Sequence, residues 1–385
     1  MDSMEIYIHI PFCMRKCRYC DFASCAGRED LMEPYCHALI REIRMRAEKL
    51  HPVPVSTVYI GGGTPSLLPA NLMANVLDCL SDAFLLKPDA EVTCEANPGT
   101  LTEDFLSMLR ARKVNRLSLG AQARQEKLLQ TLGRIHRWEE VESSVQLARQ
   151  AGFDNLNIDL MFGLPGQTWS DWRETLASAL TLSPEHVSCY GLILEDGTQL
   201  SKQVSAGTLF IPEEETERAM YSDAMRILKA AGLPPYEISN FARPGRECRH
   251  NLGYWQGACY LGLGAAAHSK LACDPKEGKY IRFGNTPDLD EYLKSMDRGV
   301  IPLKEYKAIP SREAEFETLM LGLRVSKGVA EAEFLYLHGR TIQEAFGNKI
   351  SPLIQKGLLK NEVGCLRLTR RGMDVQNAIL VELMD

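Results

Sequence analysis

Cys13, Cys17 and Cys20 form a C-x3-C-x2-C run. Thiolates this close in sequence can meet at one metal centre only if the backbone between them wraps around it. Their neighbours Arg15, Lys16 and Arg18 are too polar for a core segment, so three unrelated core thiols are a poor reading. Two centres remain. Zinc would recruit Cys25 or His9 as a fourth ligand and close into a tetrahedron. A 4Fe-4S cluster normally takes four cysteines. With only three, one iron stays open, which is what a cluster needs in order to bind a small molecule directly.

Other polar residues punctuate the apolar runs downstream. Gly61-Gly62-Gly63-Thr64-Pro65 is a glycine-rich turn without the GK[ST] of a phosphate loop. Glu95 lies in Cys94-Glu-Ala-Asn-Pro-Gly99, Gln122 closes Asn115-Arg-Leu-Ser-Leu-Gly-Ala-Gln122, and Asp159 lies in Asn157-Ile-Asp-Leu-Met-Phe-Gly-Leu-Pro-Gly166. Arg134 follows in Leu132-Gly-Arg134. Each alone serves equally well as a strand-end cap or turn residue. Together, at successive strand ends on one rim, they match the ligand layout of a parallel barrel.

The elements that must position these groups are short apolar runs alternating with amphipathic stretches. Strands are expected at Glu5–Pro11, Thr57–Ile60, Glu91–Ala96, Arg116–Gly120, Asn155–Met161 and His186–Leu194. Helices are expected at Leu31–Lys49, Pro69–Ala83, Glu103–Arg112, Trp138–Gln150 and Ser170–Leu182, with Thr102 as an N-cap. Six strand–helix repeats imply a parallel sheet, because each crossover returns the chain in the same direction. Periodicity leaves open whether that sheet curls into a barrel. After Leu194 the alternation ends. A long helix is expected at Thr216–Ala231, a Pro-bounded strand or turn at Pro234–Pro244, and a Gly- and aromatic-rich stretch at Gly253–Ser269. A helical pattern from Ser311, a hairpin at Leu359–Thr369 and a last helix at Arg371–Leu383 suggest a small winged helix. Its Glu362, Asp374, Glu382 and Asp385 dilute the basic residues, which favours a structural or interaction module over a DNA binder.

Composition narrows the class. With 45% hydrophobic and 24% charged residues the chain is neither collagen-like, low-complexity nor disordered. A net charge of −6 argues against a general nucleic-acid binder, which needs a basic surplus. No run approaches the roughly 20 apolar residues of a membrane span, and no basic-then-apolar signal segment precedes Tyr7. Twelve cysteines without a leader point to a reducing cytoplasm. Cys36, Cys79, Cys94 and Cys189 fall in apolar patterns and read as core, whereas Cys25, Cys259, Cys273 and Cys365 show no ligand spacing.

The run Tyr7-Ile-His-Ile-Pro-Phe-Cys13-Met-Arg-Lys-Cys17-Arg-Tyr-Cys20-Asp21-Phe22 resembles the signature of the radical S-adenosylmethionine (SAM) superfamily. In detail it resembles the coproporphyrinogen dehydrogenase and heme chaperone (HemN/HemW) branch, and the likeness runs from Tyr7 into the C-terminal appendix. The resemblance implies an α/β fold, an incomplete (β/α)6 TIM-like barrel with a C-terminal helical or winged-helix-like appendix. The implied division is 1–235 for the partial barrel, 236–305 for an extension and 306–385 for the appendix. It also implies a 4Fe-4S cluster on Cys13, Cys17 and Cys20, with SAM chelating the fourth iron. Tyr19 would lie near the adenine and Tyr7 against the SAM–cluster unit. Gly62, Gly63 and Thr64 would approach the methionyl amine, and Glu95, Gln122 and Asp159 would meet the ribose and methionine. Arg134 would hold the carboxylate, for which a guanidinium fork is well shaped.

Two departures separate the branch's activities. The dehydrogenase carries a further cysteine two positions after the third, where this chain has Phe22, and an N-terminal extension, where twelve residues precede Cys13 here. Cys248-Arg-His250-Asn251-Leu-Gly-Tyr254-Trp255 instead resembles a motif of the heme chaperones. His250 could ligate heme iron while Tyr254 and Trp255 pack on the macrocycle, although a histidine beside Tyr and Trp is more often a hydrogen-bonded packing cluster. His9 reads as a structural hydrogen-bonding residue. The expectation is therefore a cytoplasmic protein binding SAM, a 4Fe-4S cluster and heme, which passes heme to acceptor proteins. In the family resembled, acceptors tend to be membrane respiratory proteins, which leaves transient membrane association open along with a homodimer; no nucleic acid is expected as a partner. The alternatives are oxygen-independent coproporphyrinogen III decarboxylation and a zinc-stabilised binding module.

Overall fold

A computed structural model describes residues 3–50, 53–272 and 279–384; Cys273 lies outside them. Six parallel strands form the centre: β1 (Met4–Ile10), β2 (Val55–Gly62), β3 (Leu86–Ala96), β4 (Arg116–Gln122), β5 (Leu156–Phe162) and β6 (His186–Gly191). The expected crossover helices lie between them, at Met32–Lys49, Ala70–Ala83, Glu103–Ala111, Trp138–Gln150 and Trp169–Thr181. Thr102 does cap its helix, its side chain accepting from the Phe105 N–H at 3.2 Å.

Side chains alternate along each strand with period two. Ile6, Ile8 and Ile10 are fully buried in the large hydrophobic core, as are Val58 and Ile60 and Leu117 and Leu119 on their strands. The intervening Glu5, Tyr7 and His9, Thr57 and Tyr59, Glu91 and Glu95, Arg116 and Ser118, and Asn157 and Asp159 are polar. Each strand thus gives one apolar face to the core and one polar face to its other side. This supplies the site with its functional groups.

The sheet does not stop at six strands. Its order is β11-β10-β9-β8-β1-β2-β3-β4-β5-β6-β7, where β7 is Asn240–Ala242, β8 Tyr260–Leu263, β9 His268–Ala272, β10 Tyr280–Asn285 and β11 Leu303–Ile309. β8 returns parallel to β1, and β9 to β11 continue antiparallel. The stretch after residue 235 therefore extends the barrel's own sheet. No ladder joins β7 to β11 among the described residues, so the barrel is open. A second core, around Leu319, Phe334, Ile350 and Leu366, belongs to the C-terminal unit. There the order is helix, strand, two helices and two strands, with a three-stranded antiparallel sheet as in a winged helix. The expected last helix is two, Arg370–Asp374 and Gln376–Met384.

Glu42 ties the extension to the barrel. Fully buried in the helix Met32–Lys49, its carboxylate accepts from the Gly264 N–H at 2.9 Å, Asn285 Nδ2 at 2.8 Å and the Tyr292 hydroxyl at 2.7 Å, with Arg46 Nε at 3.3 Å. Removing it strands several buried donors and one cation at once. Glu42→Ala is expected to lower unfolding free energy by about 3–5 kcal/mol, the cost of breaking a buried ion pair from one side. Urea denaturation checks this.

Candidate functional site

The cysteine loop leaves β1 at Pro11 and is fixed at both ends. Phe12–Cys13 pairs in parallel with Cys25–Ala26. His9 Nε2 bonds the Ala23 carbonyl at 2.8 Å while its Nδ1 meets the Tyr7 hydroxyl at 3.0 Å, and Lys16 donates to the Phe22 carbonyl at 2.9 Å. His9 is thus a structural residue with both ring nitrogens occupied. Cys25 Sγ faces the Pro11 carbonyl at 3.6 Å. Both candidates for a fourth zinc ligand are thus hydrogen-bonded to other groups.

Those three thiols line one cavity of 310 Å³ at the C-terminal ends of the strands. With them stand Tyr19, Gly62, Gly63, Thr64, Glu95, Gln122, Arg134 and Asp159, so eleven of the thirteen residues singled out above share one site. Tyr7 and His250 line the adjoining cavity instead. Gly63 N–H donates to the Ile10 carbonyl and Thr64 N–H to the Phe12 carbonyl, both at 2.7 Å. A Cβ on Gly62 would fall 2.5 Å from the His9 ring, and one on Gly63 2.6 Å from the Phe12 carbonyl. Packing of the cysteine loop on β2 therefore requires both glycines in its own right.

Asn97 lines the cavity without having been singled out. A hydrogen-bonded arc passes through it from one cysteine to the next. Thr64 Oγ1 donates toward Cys13 Sγ at 3.8 Å and accepts from Asn97 Nδ2 at 2.8 Å. Asn97 Oδ1 accepts from Arg134 at 2.8 Å, and Arg134 reaches Cys17 Sγ at 3.6 Å and the Gly120 carbonyl at 2.6 Å. Only its place in Cys94-Glu-Ala-Asn-Pro-Gly99, beside Glu95, marks Asn97 in the sequence. Tyr59, Ser118 and Tyr190 also line the cavity and were likewise not singled out.

Arg134 is the positive pole of the site, and none of the ion pairs among the described residues gives it a carboxylate. Burial pushes the Cys13 and Cys20 thiols above their ordinary range. Glu95 accepts from the Tyr59 hydroxyl at 2.8 Å and the Gly62 N–H at 3.2 Å, and Asp159 from Ser118 at 2.9 Å and Asn157 at 2.8 Å. Gln122 adopts the left-handed region at φ 66° where β4 shifts register, a strained conformation of the kind found at functional sites. Three sulfur donors, an arginine without a carboxylate and two oriented carboxylates suit an open-cornered cluster and an amino-acid-bearing nucleoside cofactor.

His250 sits elsewhere. Its helix, Arg249–Trp255, plugs the lower barrel, where Glu91 accepts the Arg249 and His250 N–H groups at 3.2 Å each. A Cβ on Gly253 would strike Glu5 at 1.8 Å, so the helix packs directly on that side chain. The imidazole is buried, with Nδ1 on Thr57 at 2.7 Å and Nε2 on Tyr254 at 3.0 Å. Both ring nitrogens of His250 are thus hydrogen-bonded within the fold, the arrangement of a packing cluster. Burial and the Arg116 charge hold its pKa down to about 3, so the neutral ring stays within this network.

Residues 7–179 match the radical SAM superfamily and residues 309–375 the HemN C-terminal domain. The chain is similar to the heme chaperone HemW of Bacillus subtilis, at 35% identity over 97% of both chains. It is also similar to HemW of Escherichia coli, at 31% identity over 99% of this chain and 98% of that one. Among solved structures it superposes on coproporphyrinogen III oxidase (HemN) of Escherichia coli with a TM-score of 0.85, covering 99% of this chain and 90% of that one at 22% identity. The last likeness shows the fold.

The site carries a pH signature. Burial first, then the charge of Asp159, pushes the Glu95 carboxyl up to about 7 from 4.5 against the Tyr59 hydrogen bond. A folded-state pKa above the unfolded one means stability fully present below pH 4.5 and lost as pH rises through 7. Glu95→Gln is expected to flatten that loss, matching the parent protein at pH 4.5 and exceeding it at pH 8. Urea melts at the two pH values read it out; equal pH slopes contradict it.

Proposed function

The chain belongs to the HemW family of the radical SAM superfamily, and on that premise we propose that it binds a 4Fe-4S cluster, SAM and heme and delivers the heme to acceptor proteins. The observation that carries this reading is end-to-end similarity to HemW proteins, at 35% identity over 97% of both chains for the Bacillus subtilis one. Phe22, where the dehydrogenase branch would place a further cysteine, supports it against porphyrinogen decarboxylation.

Within this reading Cys13, Cys17 and Cys20 hold the cluster. When bound, the cluster supplies an open iron for SAM and a one-electron donor. The protein's part is orientation and charge. Arg134 offers its guanidinium to the SAM carboxylate, and Asn97 and the Gly120 carbonyl aim it. Glu95 and Asp159, each already accepting hydrogen bonds, take hydroxyls of the ribose or the methionyl ammonium, and Gln122 adds an amide beside them. Tyr19 would lie near the adenine, and Tyr7, hydrogen-bonded to His9, would lie against the SAM–cluster unit. The arc from Cys13 to Cys17 keeps two of the thiols in register.

Heme acceptors in membrane respiratory complexes, a cytoplasmic location with transient membrane contact, and dimerisation belong to this proposal as well. Among the described residues, no helix is long and apolar enough to cross a membrane. The divisions at 235 and 305 are likewise part of the proposal, as functional rather than structural boundaries.

Anaerobically reconstituted protein is expected to bind heme at about one per chain and to form no protoporphyrinogen from coproporphyrinogen. Robust protoporphyrinogen formation overturns the chaperone reading in favour of the decarboxylase. Cys17→Ala is expected to remove iron and sulfide on reconstitution while leaving the far-UV circular dichroism intact. Retained iron and sulfide would remove Cys17 from the ligand set.

A further inference from the structure

The second cavity, of 740 Å³, adjoins the first and shares Phe22, Tyr59, Gly62, Glu95 and Tyr190 with it. Its size is ordinary for a cofactor-sized ligand. It runs from the barrel onto the sheet extension, where β8, β9 and β10 lay two cross-strand rows side by side. One row is Tyr260, Lys270 and Arg282; the other is His268, Gly284 and, on β11, Glu305. Residues directly opposite one another share a face of a sheet.

Three histidines line this cavity, His9, His250 and His268. The first two have both ring nitrogens hydrogen-bonded within the fold. His268 differs. Its side chain is 48% exposed and its Nδ1 faces Glu305 Oε2 at 3.8 Å, while Nε2 has no hydrogen-bond partner among the described residues. The ring rests over Gly284, where a Cβ would lie 2.8 Å from Cε1, so the glycine opposite is what lets the imidazole lie there. Glu305 lies within ion-pair range of one nitrogen at 3.8 Å, beyond hydrogen-bond distance, and the other has no partner among the described residues, so of the three imidazoles this one can offer a nitrogen to a metal. In the neighbouring row, Arg282 and Lys270 share one carboxylate, Glu317, at 3.0 Å and 3.7 Å. That leaves one positive charge in surplus beside an aromatic wall.

We propose that this cavity is the heme site and that His268 Nε2 is the iron ligand, with Arg282 meeting a propionate carboxylate. The inference rests on the heme-delivery reading above and deepens it by naming the residue. An imidazole, an aromatic wall and a cation are the three things a flat iron macrocycle with acidic side chains requires. His250 then acts from beneath, holding the Tyr254 hydroxyl through its Nε2.

The test is heme titration of the cluster-loaded full chain, read in the Soret difference spectrum and by EPR of the ferric heme. His268→Ala is expected to weaken binding at least about tenfold, the lower bound of what losing even a hydrogen-bond partner of a metal ligand costs. The ferric signal is expected to change in the same variant, and free imidazole is expected to restore both. Unchanged affinity and spectrum in His268→Ala overturn the assignment while leaving the heme-delivery reading in place. A parent protein that binds no heme overturns both. Circular dichroism and iron content of the variant show that it is folded and loaded.

Discussion

One guanidinium organises the mouth of this barrel. Arg134 reaches a cysteine sulfur, an asparagine amide and a backbone carbonyl, none of them a carboxylate. A partly buried cation held only by dipoles and a thiol is under-compensated, and it favours a thiolate set or an incoming carboxylate. The same group ties the cysteine loop to the strand ends and places one positive charge in a pocket that also holds Glu95 and Asp159. Thr64 and Asn97 transmit that constraint to Cys13, so the loop geometry depends on residues just past β2 and β3 and on Arg134, which follows the helix Glu126–Leu132 after β4.

The period-two alternation of the strands provides the rest. Apolar side chains face the helices, and polar ones form a ladder from Glu5 and Glu91 up to Glu95 and Asp159. Because the barrel stays open, β1 is free on its outer side to accept β8, and the sheet extends without a break to β11. Two adjoining cavities follow from that single topological choice. One is built from strand ends and the cysteine loop, the other from the face of the added strands.

Much of this was legible in the residues. The six parallel strands, their helices and the Thr102 cap follow from apolar periodicity, and the winged-helix order follows from the hairpin at Leu359–Thr369. Eleven of the site residues converge as the strand-end pattern implies. The strands of the extension were not legible, because Tyr260–Leu263 reads Tyr-Leu-Gly-Leu with too few residues for a period and pairs with a strand some 250 residues earlier. For His250 the sequence shows an imidazole beside aromatics, but not that the hydroxyls of Thr57 and Tyr254 are hydrogen-bonded to its two nitrogens. Asn97 was hidden because an Asn-Pro-Gly turn accounts for it without any role in the site.

The central claim is that three thiols hold a cluster and leave one corner for a cofactor that Arg134 and Glu95 receive. Mössbauer spectroscopy of the reconstituted full chain, before and after adding SAM, addresses it most directly. The account requires one iron site to change its signal on addition while the others keep theirs. A spectrum that SAM leaves untouched, or a reconstituted protein carrying zinc in place of iron and sulfide, would contradict it.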